Sequence, residues 1–219
     1  MPGKSFESKK IYLSIIQGSL KQSVKEGTPN SERRDYELKD GTKGHKFELT
    51  YMEWYGRVRD LRLKDTKYGE TLEVEFDDAI LTIPVASRYF DDFMMKIPTA
   101  NLNQTLSVHP YDFEADDGKQ KKGISIEQNG QKLKSYYWND VDQKNCNGLP
   151  LPKANAKKTY KKSDWQLYFL TRTNFLKDSL PKIAETIDRE ISDESFKEPE
   201  DPVEPGEDDE EVKIADVPF

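Results

Sequence analysis

The sequence predicts a mainly β protein that ends in a helix and a disordered acidic tail. Short stretches of alternating apolar and polar residues, typical of half-buried strands, recur between residues 11 and 138. Apolar residues then recur at helical spacing between residues 165 and 191. Residues 193–219 are rich in carboxylates and proline, a composition that cannot bury a core and therefore indicates disorder.

The first elements precede a bent strand. Residues 11–20 are rich in β-branched residues and predict a strand, whereas residues 21–44 predict a long loop that exposes Arg33 and Arg34. Residues 46–51 and 58–63 alternate on either side of Gly56. An isolated glycine in such a pattern indicates a bulge or bend, so we expect one long strand bent at Gly56 and ended by a turn at residues 65–69.

The next elements indicate a barrel. Strands at residues 71–76 and 79–85 form a predicted hairpin through Asp77 and Asp78. Ser87 is a suitable cap for a helix at residues 88–97, which Pro98 closes. A strand at residues 105–113, a charged loop at 114–122 and a hairpin of residues 123–128 and 131–138 around Asn129-Gly130 follow. This order matches a five-stranded OB-fold Greek-key barrel with its helix between strands 3 and 4, although an open α+β sheet or another small barrel gives a similar order.

The C-terminal part predicts a helix packed on the barrel. Residues 139–162 are irregular and lysine-rich, and Ser163 or Asp164 could cap a helix that Pro181 kinks or divides. The chain then has four regions: an N-terminal strand and loop extension (1–45), the barrel (46–138), a linker and C-terminal helix (139–192) and the acidic tail (193–219).

Motif analysis argues against an enzyme and a cofactor. Cys146 is the single cysteine, which excludes an internal disulfide, and with two histidines it gives no zinc spacing. Phosphate-binding loops and hydrolase or zinc-protease motifs are absent. Acidic pairs such as Asp77-Asp78 leave a metal-dependent nuclease as an alternative. No signal peptide or membrane-spanning run is recognisable, so we expect a cytoplasmic protein.

Aromatic residues interleaved with cations predict a binding site for single-stranded nucleic acid. Rings stack on unpaired bases, and guanidinium and ammonium groups contact phosphates. Rings that point into the barrel would instead belong to its core. The candidates lie on the bent strand and its turn, in the 114–122 loop and near residue 137: Tyr51, Trp54, Tyr55, Arg57, Arg59, Arg62, Lys64, Lys67, Tyr68, Lys119, Lys121, Lys122, Tyr136 and Trp138.

The charge distribution separates the body from the tail. Residues 193–219 hold 12 of the 41 acidic residues and 2 of the 34 basic ones, a net charge of −10, and the remaining residues carry +3. The tail nevertheless finishes on the apolar residues Val217, Pro218 and Phe219 after Asp216. A short aromatic peptide with a free carboxylate is what a small basic pocket can bind, so the tail predicts a partner-binding tip.

Two stretches make the chain resemble bacteriophage single-stranded-DNA-binding proteins. The tip is similar to the acidic Asp-Ile-Pro-Phe terminus of bacterial single-strand-binding proteins, with Val217 in the isoleucine position. Residues 51–75 (YMEWYGRVRDLRLKDTKYGETLEVE) resemble the strand, glycine, strand and turn of phage OB-fold proteins. The Gly/Gln-rich linker of the bacterial proteins is missing, and the 165–191 helix has no counterpart in them, so their tetrameric assembly is not carried over.

The resemblance implies a function in DNA metabolism. A protein of this family coats single-stranded DNA during phage replication, recombination and repair in the bacterial cytoplasm. Its tip recruits polymerases, helicases or nucleases. An alternative is a decoy that carries a host-like tip to occupy host repair or replication proteins without binding DNA.

Overall fold

The computed structural model describes residues 10–37, 41–139, 141–142, 144–153 and 155–188. The fold is mainly β, as predicted, with a few helices. Within these residues no helix is both long enough and apolar enough to cross a membrane. The strands are β1 (Ile11–Ile16), β2 (Ser19–Val24), β3 (Glu32–Glu37), β4 (Lys43–Tyr51), β5 (Trp54–Thr66), β6 (Gly69–Phe76), β7 (Ala79–Pro84), β8 (Thr105–Glu114), β9 (Gln120–Gln128), β10 (Gln131–Lys132), β11 (Trp138–Asn139) and β12 (Lys144–Asn145).

Ten of these strands form one open, mixed sheet in the order β10-β9-β8-β5-β6-β7-β1-β2-β4-β3. All neighbours are antiparallel except β1 and β7, which run parallel. The remaining strands, β11 and β12, pair with each other. The sheet thus has more strands than the sequence predicted, chiefly at the N-terminal side.

The predicted order of three strands, a helix and two strands is present as β5, β6, β7, α1 (Arg88–Lys96), β8 and β9. The Ser87 side chain accepts a hydrogen bond from the backbone N of Phe90 at 3.3 Å, so the predicted cap is confirmed. A 3-10 turn at Ile97–Thr99 contains Pro98 and ends the helical segment.

In place of the single bent strand that was predicted, the structure has two strands, β4 and β5. Residues 43–51 belong to β4, which pairs with β2 and β3, and β5 begins only at Trp54. The predicted change of course near Gly56 lies inside β5, whose first residues pair with β8 and whose later residues pair with β6. The register shifts between Val58 and Asp60, so the bulge follows the glycine rather than coinciding with it.

The predicted N-terminal strand and the long loop were both wrong in part. Residues 11–20 form a hairpin, because Gln17 and Gly18 adopt positive φ angles of 48° and 75° and reverse the chain. Residues 21–44 include β3, most of whose residues are exposed. A strand exposed on both faces has no apolar alternation, and backbone pairing with β4 defines it instead.

Three further boundaries differ from the prediction. The 114–122 loop is shorter, because Lys121 and Lys122 pair with β8 as part of β9. The 131–138 strand is limited to β10, and Tyr136 and Tyr137 lie in a turn. The irregular linker contains β11, β12 and the short helix α2 (Ala156–Thr159).

The core lies on one side of the sheet, which we call the inner face. The α1 helix covers this face and the free edge of β9, where Asp92 accepts a hydrogen bond from the backbone N of Ile124 at 2.7 Å. The Lys96 side chain donates to the carbonyl of the same Ile124. The largest buried apolar side chains are Leu13, Leu20, Leu72, Phe76, Leu81, Ile83, Phe90, Phe93, Met94, Ile97, Leu102 and Leu106.

The helix α3 (Lys162–Ala184) packs on this core through its second half, where Leu176, Leu180 and Ile183 are buried. Pro181 lies inside one continuous helix, so it does not divide the helix. Because proline has no N–H, the backbone hydrogen bond that a residue here would donate to the carbonyl of Lys177 is missing. Residues 189–191 of the predicted helix lie outside the described part of the chain.

Candidate nucleic-acid interface

The side of the sheet opposite the core carries rows of polar residues that cross several strands. We call this side, from β5 through β6, β7 and β1 to β2, the outer face. In one row Arg62 of β5 is paired in register with Glu73 of β6, and Glu73 with Thr82 of β7. The row continues through Ser14 of β1 to Lys21 of β2. Predicted and unpredicted residues therefore share one surface.

Arg62 reaches the outer face because of the bulge in β5. Strict alternation would place Arg62 on the same side as Val58, which is buried in the core. The register shift after Val58 inverts that relation, so that Leu61 points inward and Arg62 outward. The bulge, rather than the two-residue period, therefore decides the face on which this side chain lies.

The two cations that β5 presents on the outer face, Arg62 and Lys64, are paired with carboxylates. Arg62 contacts Glu73 at 2.9 Å, Glu75 at 2.7 Å and Asp60 at 3.1 Å, and Lys64 contacts Glu73 at 2.8 Å. Only 3% of Glu73 is exposed. Burial raises the pKa of Glu73, but hydrogen bonds from Lys64 and Arg62 together outweigh burial and hold that pKa below its ordinary value. The glutamate is thus ionised beneath two cations.

Arg57 and Arg59 lie at the other end of β5, next to the turn between β6 and β7. Arg57 is buried, and its backbone N donates to Asp77 at 3.3 Å. The guanidinium of Arg59 forms an ion pair with the same Asp77. Both residues therefore hold the β6–β7 turn.

Three predicted rings surround this turn. Tyr51 and Trp54 are in edge-to-face contact with centroids 5.2 Å apart and pack against the core. Their polar atoms have partners, because Tyr51 donates to Gln22 at 2.7 Å and the indole of Trp54 donates to Asp78 at 3.2 Å. Tyr55 is exposed. Of these three rings, Tyr55 has the most surface free to stack on a base.

The turn between β5 and β6 presents the most exposed predicted ring. Tyr68 is 81% exposed, and the Lys67 ammonium lies 4.9 Å from the centre of its ring. A large ring held this far into solvent buries little apolar surface. Its position at a hairpin turn, beside a cation, suits stacking on an unpaired base.

The three lysines near the β8–β9 connection differ in their surroundings. Lys119 pairs with Asp117 at 2.7 Å. Lys122 pairs with Asp112 at 2.8 Å and lies 4.8 Å from the centre of the Tyr89 ring. Hydrogen bonds from Lys122 and from a glutamine lower the pKa of Asp112. Lys121 is exposed and forms no ion pair with a described residue.

Tyr136 and Trp138 do not join the outer face. Both are exposed, whereas Tyr137 between them is buried against Phe175 with ring centroids 5.7 Å apart. The two exposed rings thus lie on either side of a buried one, with Tyr136 and Tyr137 in a turn. The backbone N of Tyr136 donates to the backbone carbonyl of Met95 at 2.8 Å, so the residue lies beside the end of α1. There Tyr136 lines a cavity of about 550 Å³ between the α1–β8 connection and α3.

Sequence reasoning missed the β1–β2 part of the outer face. Tyr12 is 62% exposed and borders a groove of about 590 Å³ together with Lys21 and Lys25. Lys21 donates to Thr50 at 2.5 Å. The alternation of β1, with Leu13 inward, could have revealed Tyr12, but the residue lies in a run that is apolar almost throughout.

The predicted tip, residues 216–219, lies outside the residues that the structure describes. In the described part of the chain, no group of three or more His, Cys, Asp or Glu side chains is placed to hold a metal ion. No family model, no curated protein and no solved structure matches this chain.

Proposed function

We propose that this protein binds single-stranded DNA without sequence specificity, along the outer face of its sheet. The observation that carries the proposal is the pair of exposed rings, Tyr12 on β1 and Tyr68 at the β5–β6 turn. Measured along the strands, Arg62 and Lys64 of β5 lie between the levels of the two rings. From the strand register and ordinary sheet spacings, the rings are separated by about 10 Å across the strands and about 20 Å along them. That separation suits a strand of several nucleotides whose bases stack at both ends.

The same strands support an OB-type barrel. β5, β6, β7, α1, β8 and β9 follow the order of a five-stranded OB fold. In our proposal β1 takes the position parallel to β7 that closes such a barrel. The backbone N of Gly18, in the β1–β2 turn, donates to the hydroxyl of Tyr89 at 3.0 Å, and Tyr89 donates to Asp112 of β8 at 3.4 Å. These contacts bring the N-terminal hairpin against β8.

Stacking carries more of the proposed affinity than net charge does. Glu73 and Glu75 already pair with the cations of the outer face. The side chains of Arg62 and Lys64 nevertheless keep 43% and 56% of their surfaces exposed, so a phosphate has access to both. Each phosphate that such a cation contacts contributes a salt-dependence slope of about −0.7 for a single strand.

The acidic tail has two roles in this proposal. Phe219 and its carboxylate dock on replication, recombination and repair enzymes of the bacterial host cytoplasm in which a phage protein acts. The tail carboxylates, which give residues 193–219 a net charge of −10, compete with DNA for the same cations when no strand is bound.

One observation favours the decoy alternative. Arg59, Arg62, Lys64, Lys119 and Lys122 all pair with carboxylates of this chain. Cations neutralised in this way suit a protein that occupies host proteins through its tip and leaves DNA alone.

Titration with oligo-dT distinguishes the two functions. We expect the fluorescence of Trp54 to be quenched as bases stack near it, and the affinity to fall with added salt. Absence of binding at low salt would refute the proposal and leave the decoy. Incubation of single strands with Mg²⁺ or Mn²⁺ tests the nuclease alternative, since cleavage would contradict a pure binding function.

A further inference from the structure

The segment that leads into α3 is rich in lysines. Between residues 153 and 162 the chain has five lysines and no acidic residue. None of the five forms an ion pair with a residue that the structure describes: Lys153, Lys157, Lys158, Lys161 and Lys162. The next carboxylate, Asp164, accepts the backbone N of Lys161 at 2.8 Å and so caps the helix. These lysines contrast with the paired cations of the outer face.

Aromatic rings continue this cluster along one face of α3. Lys162, Trp165, Phe169 and Arg172 are spaced by three, four and three residues, which places them on the same side of the helix. The rings of Trp165 and Phe169 are stacked, with centroids 5.9 Å apart and planes inclined by 27°. Tyr160 adds a third ring, 5.0 Å from that of Trp165. Cations therefore flank a short stack of rings over about 15 Å of helix.

This face adjoins the end of the sheet that carries Tyr68. Lys177 of α3 pairs with Glu70 at 2.5 Å, and Glu70 is the second residue of β6, directly after the β5–β6 turn and Gly69. Nearer the start of the helix, Phe169 and Arg172 share a cleft of about 590 Å³ with Arg88 and the carboxylates of Asp91 and Asp92. The second half of α3 therefore lies beside the turn that the proposed DNA path reaches, and the exposed first half extends from there along the same helix.

We infer that α2 and the first half of α3 form a second contact surface for the same DNA strand beyond Tyr68. This inference rests on the proposed function. Unpaired lysines suit phosphates, and the ring stack beside them suits unpaired bases. The neighbouring face of α3 exposes Leu167 and Leu170, so an anionic lipid surface is the competing occupant that the experiment must exclude.

The test replaces Lys157, Lys158, Lys161 and Lys162 by Gln in the full-length protein. The matched control replaces four exposed lysines elsewhere, Lys43, Lys132, Lys144 and Lys182, and changes the net charge equally. Binding of oligo-dT of about 6 and about 20 nucleotides is measured against salt concentration, since single-strand sites of this fold span about 4–16 nucleotides. Sedimentation with vesicles containing phosphatidylglycerol forms the second arm.

For the longer oligonucleotide we expect the variant to have a slope of log affinity against log salt that is flatter by up to about 2.8. If the variant and the unmodified protein bind equally at about 1 M salt, the variant then binds up to about 600-fold more weakly at about 0.1 M salt. The short oligonucleotide, which the sheet accommodates, should bind the variant and the control alike. Equal affinities of variant and control for the longer strand would overturn the inference, as would vesicle binding that depends on these lysines while DNA binding does not. Failure of the unmodified protein to bind either oligonucleotide would instead refute the proposed function.

Discussion

The substitution Glu73→Gln tests whether the cations of the outer face contact DNA. Glu73 is 3% exposed, and its carboxylate accepts hydrogen bonds from Arg62 at 2.9 Å and Lys64 at 2.8 Å. Glutamine has nearly the same shape and can still accept a hydrogen bond, but it carries no charge. The variant therefore leaves both cations in place and removes the carboxylate charge that they share, while Glu75 and Asp60 stay beside Arg62.

The expected gain in DNA affinity follows from the two cations. If each cation then contacts one phosphate at full charge, the slope of log affinity against log salt steepens by up to about 1.4. If the two proteins bind equally at about 1 M salt, the variant then binds DNA up to about 25-fold more tightly at about 0.1 M salt. Stability should fall by about 1–2 kcal/mol, because charge-assisted hydrogen bonds become neutral ones. For a domain of this size, that loss lowers the melting temperature by about 2–8 °C.

The chain provides a matched control in Glu48→Gln. Glu48 is 2% exposed and pairs with Arg34 at 2.6 Å and Lys46 at 2.7 Å, but it lies on β4, beyond the proposed path. Both variants should lose similar stability in thermal unfolding followed by circular dichroism. Only Glu73→Gln should bind oligo-dT more tightly in a fluorescence titration over a range of salt concentrations.

Two results would refute this reasoning. A folded Glu73→Gln protein with the affinity and salt slope of the unmodified protein would mean that Arg62 and Lys64 do not contact phosphates. An equal gain in both variants would mean that net charge, rather than the outer face, sets the affinity.

Four further predictions address the ring, the tail, the carboxylates and the N-terminal hairpin. Tyr68→Ala should weaken oligo-dT binding by about 1–3 kcal/mol, with Tyr68→Phe as the control that retains it, and should change the melting temperature little; unaltered binding in Tyr68→Ala would exclude stacking there. Deleting residues 208–219 should preserve or raise DNA affinity and abolish capture of partner enzymes, and a large loss of DNA binding would contradict the role of the tail. Hydrogen bonds from Arg or Lys side chains hold the pKa values of Glu48, Glu73 and Glu75 below that of an ordinary glutamate, so the stabilisation is present above the ordinary value and is lost as the pH falls through the folded values; an unfolding free energy that stays constant over this acidic range would contradict it. Gly18→Ala should lower the free energy of unfolding by about 1–3 kcal/mol or more, since φ is +75° and a Cβ would lie 2.4 Å from the backbone N of Asp112; a neutral effect in chemical denaturation would mean that the hairpin does not rest on β8.

The strands from β5 to β9 could be predicted because burial on one face of a strand leaves a local alternation in the sequence. The cap at Ser87 was equally local. In contrast, β3 is exposed on both faces and its pairing with β4 leaves no such pattern. The same limit applies to the N-terminal hairpin, where only the glycine in the Gln17-Gly18 turn marked the reversal.

The candidate site was predictable in composition and only partly in geometry. Tyr55 and Tyr68 are candidate rings because each stands beside cations in the sequence, and both are exposed in the structure. Tyr51 and Trp54 have the same local signature, yet both pack against the core. Whether a ring points inward depends on which strands cover it, and that is not encoded within a few residues.

The sequence by itself determined the strand and helix order from β5 to β9, the contrast between a +3 body and a −10 tail, and the interleaving of rings with cations. Only the tertiary structure decided which cations are neutralised and which rings share a surface. Arg62 faces outward because of a bulge, and Glu73 lies beneath it because β6 pairs with β5. Tyr12 joins the same face because β1 pairs in parallel with β7, nearly 70 residues away in the chain. Alternation is a property of neighbouring residues, whereas register and ion pairing arise only when distant strands meet.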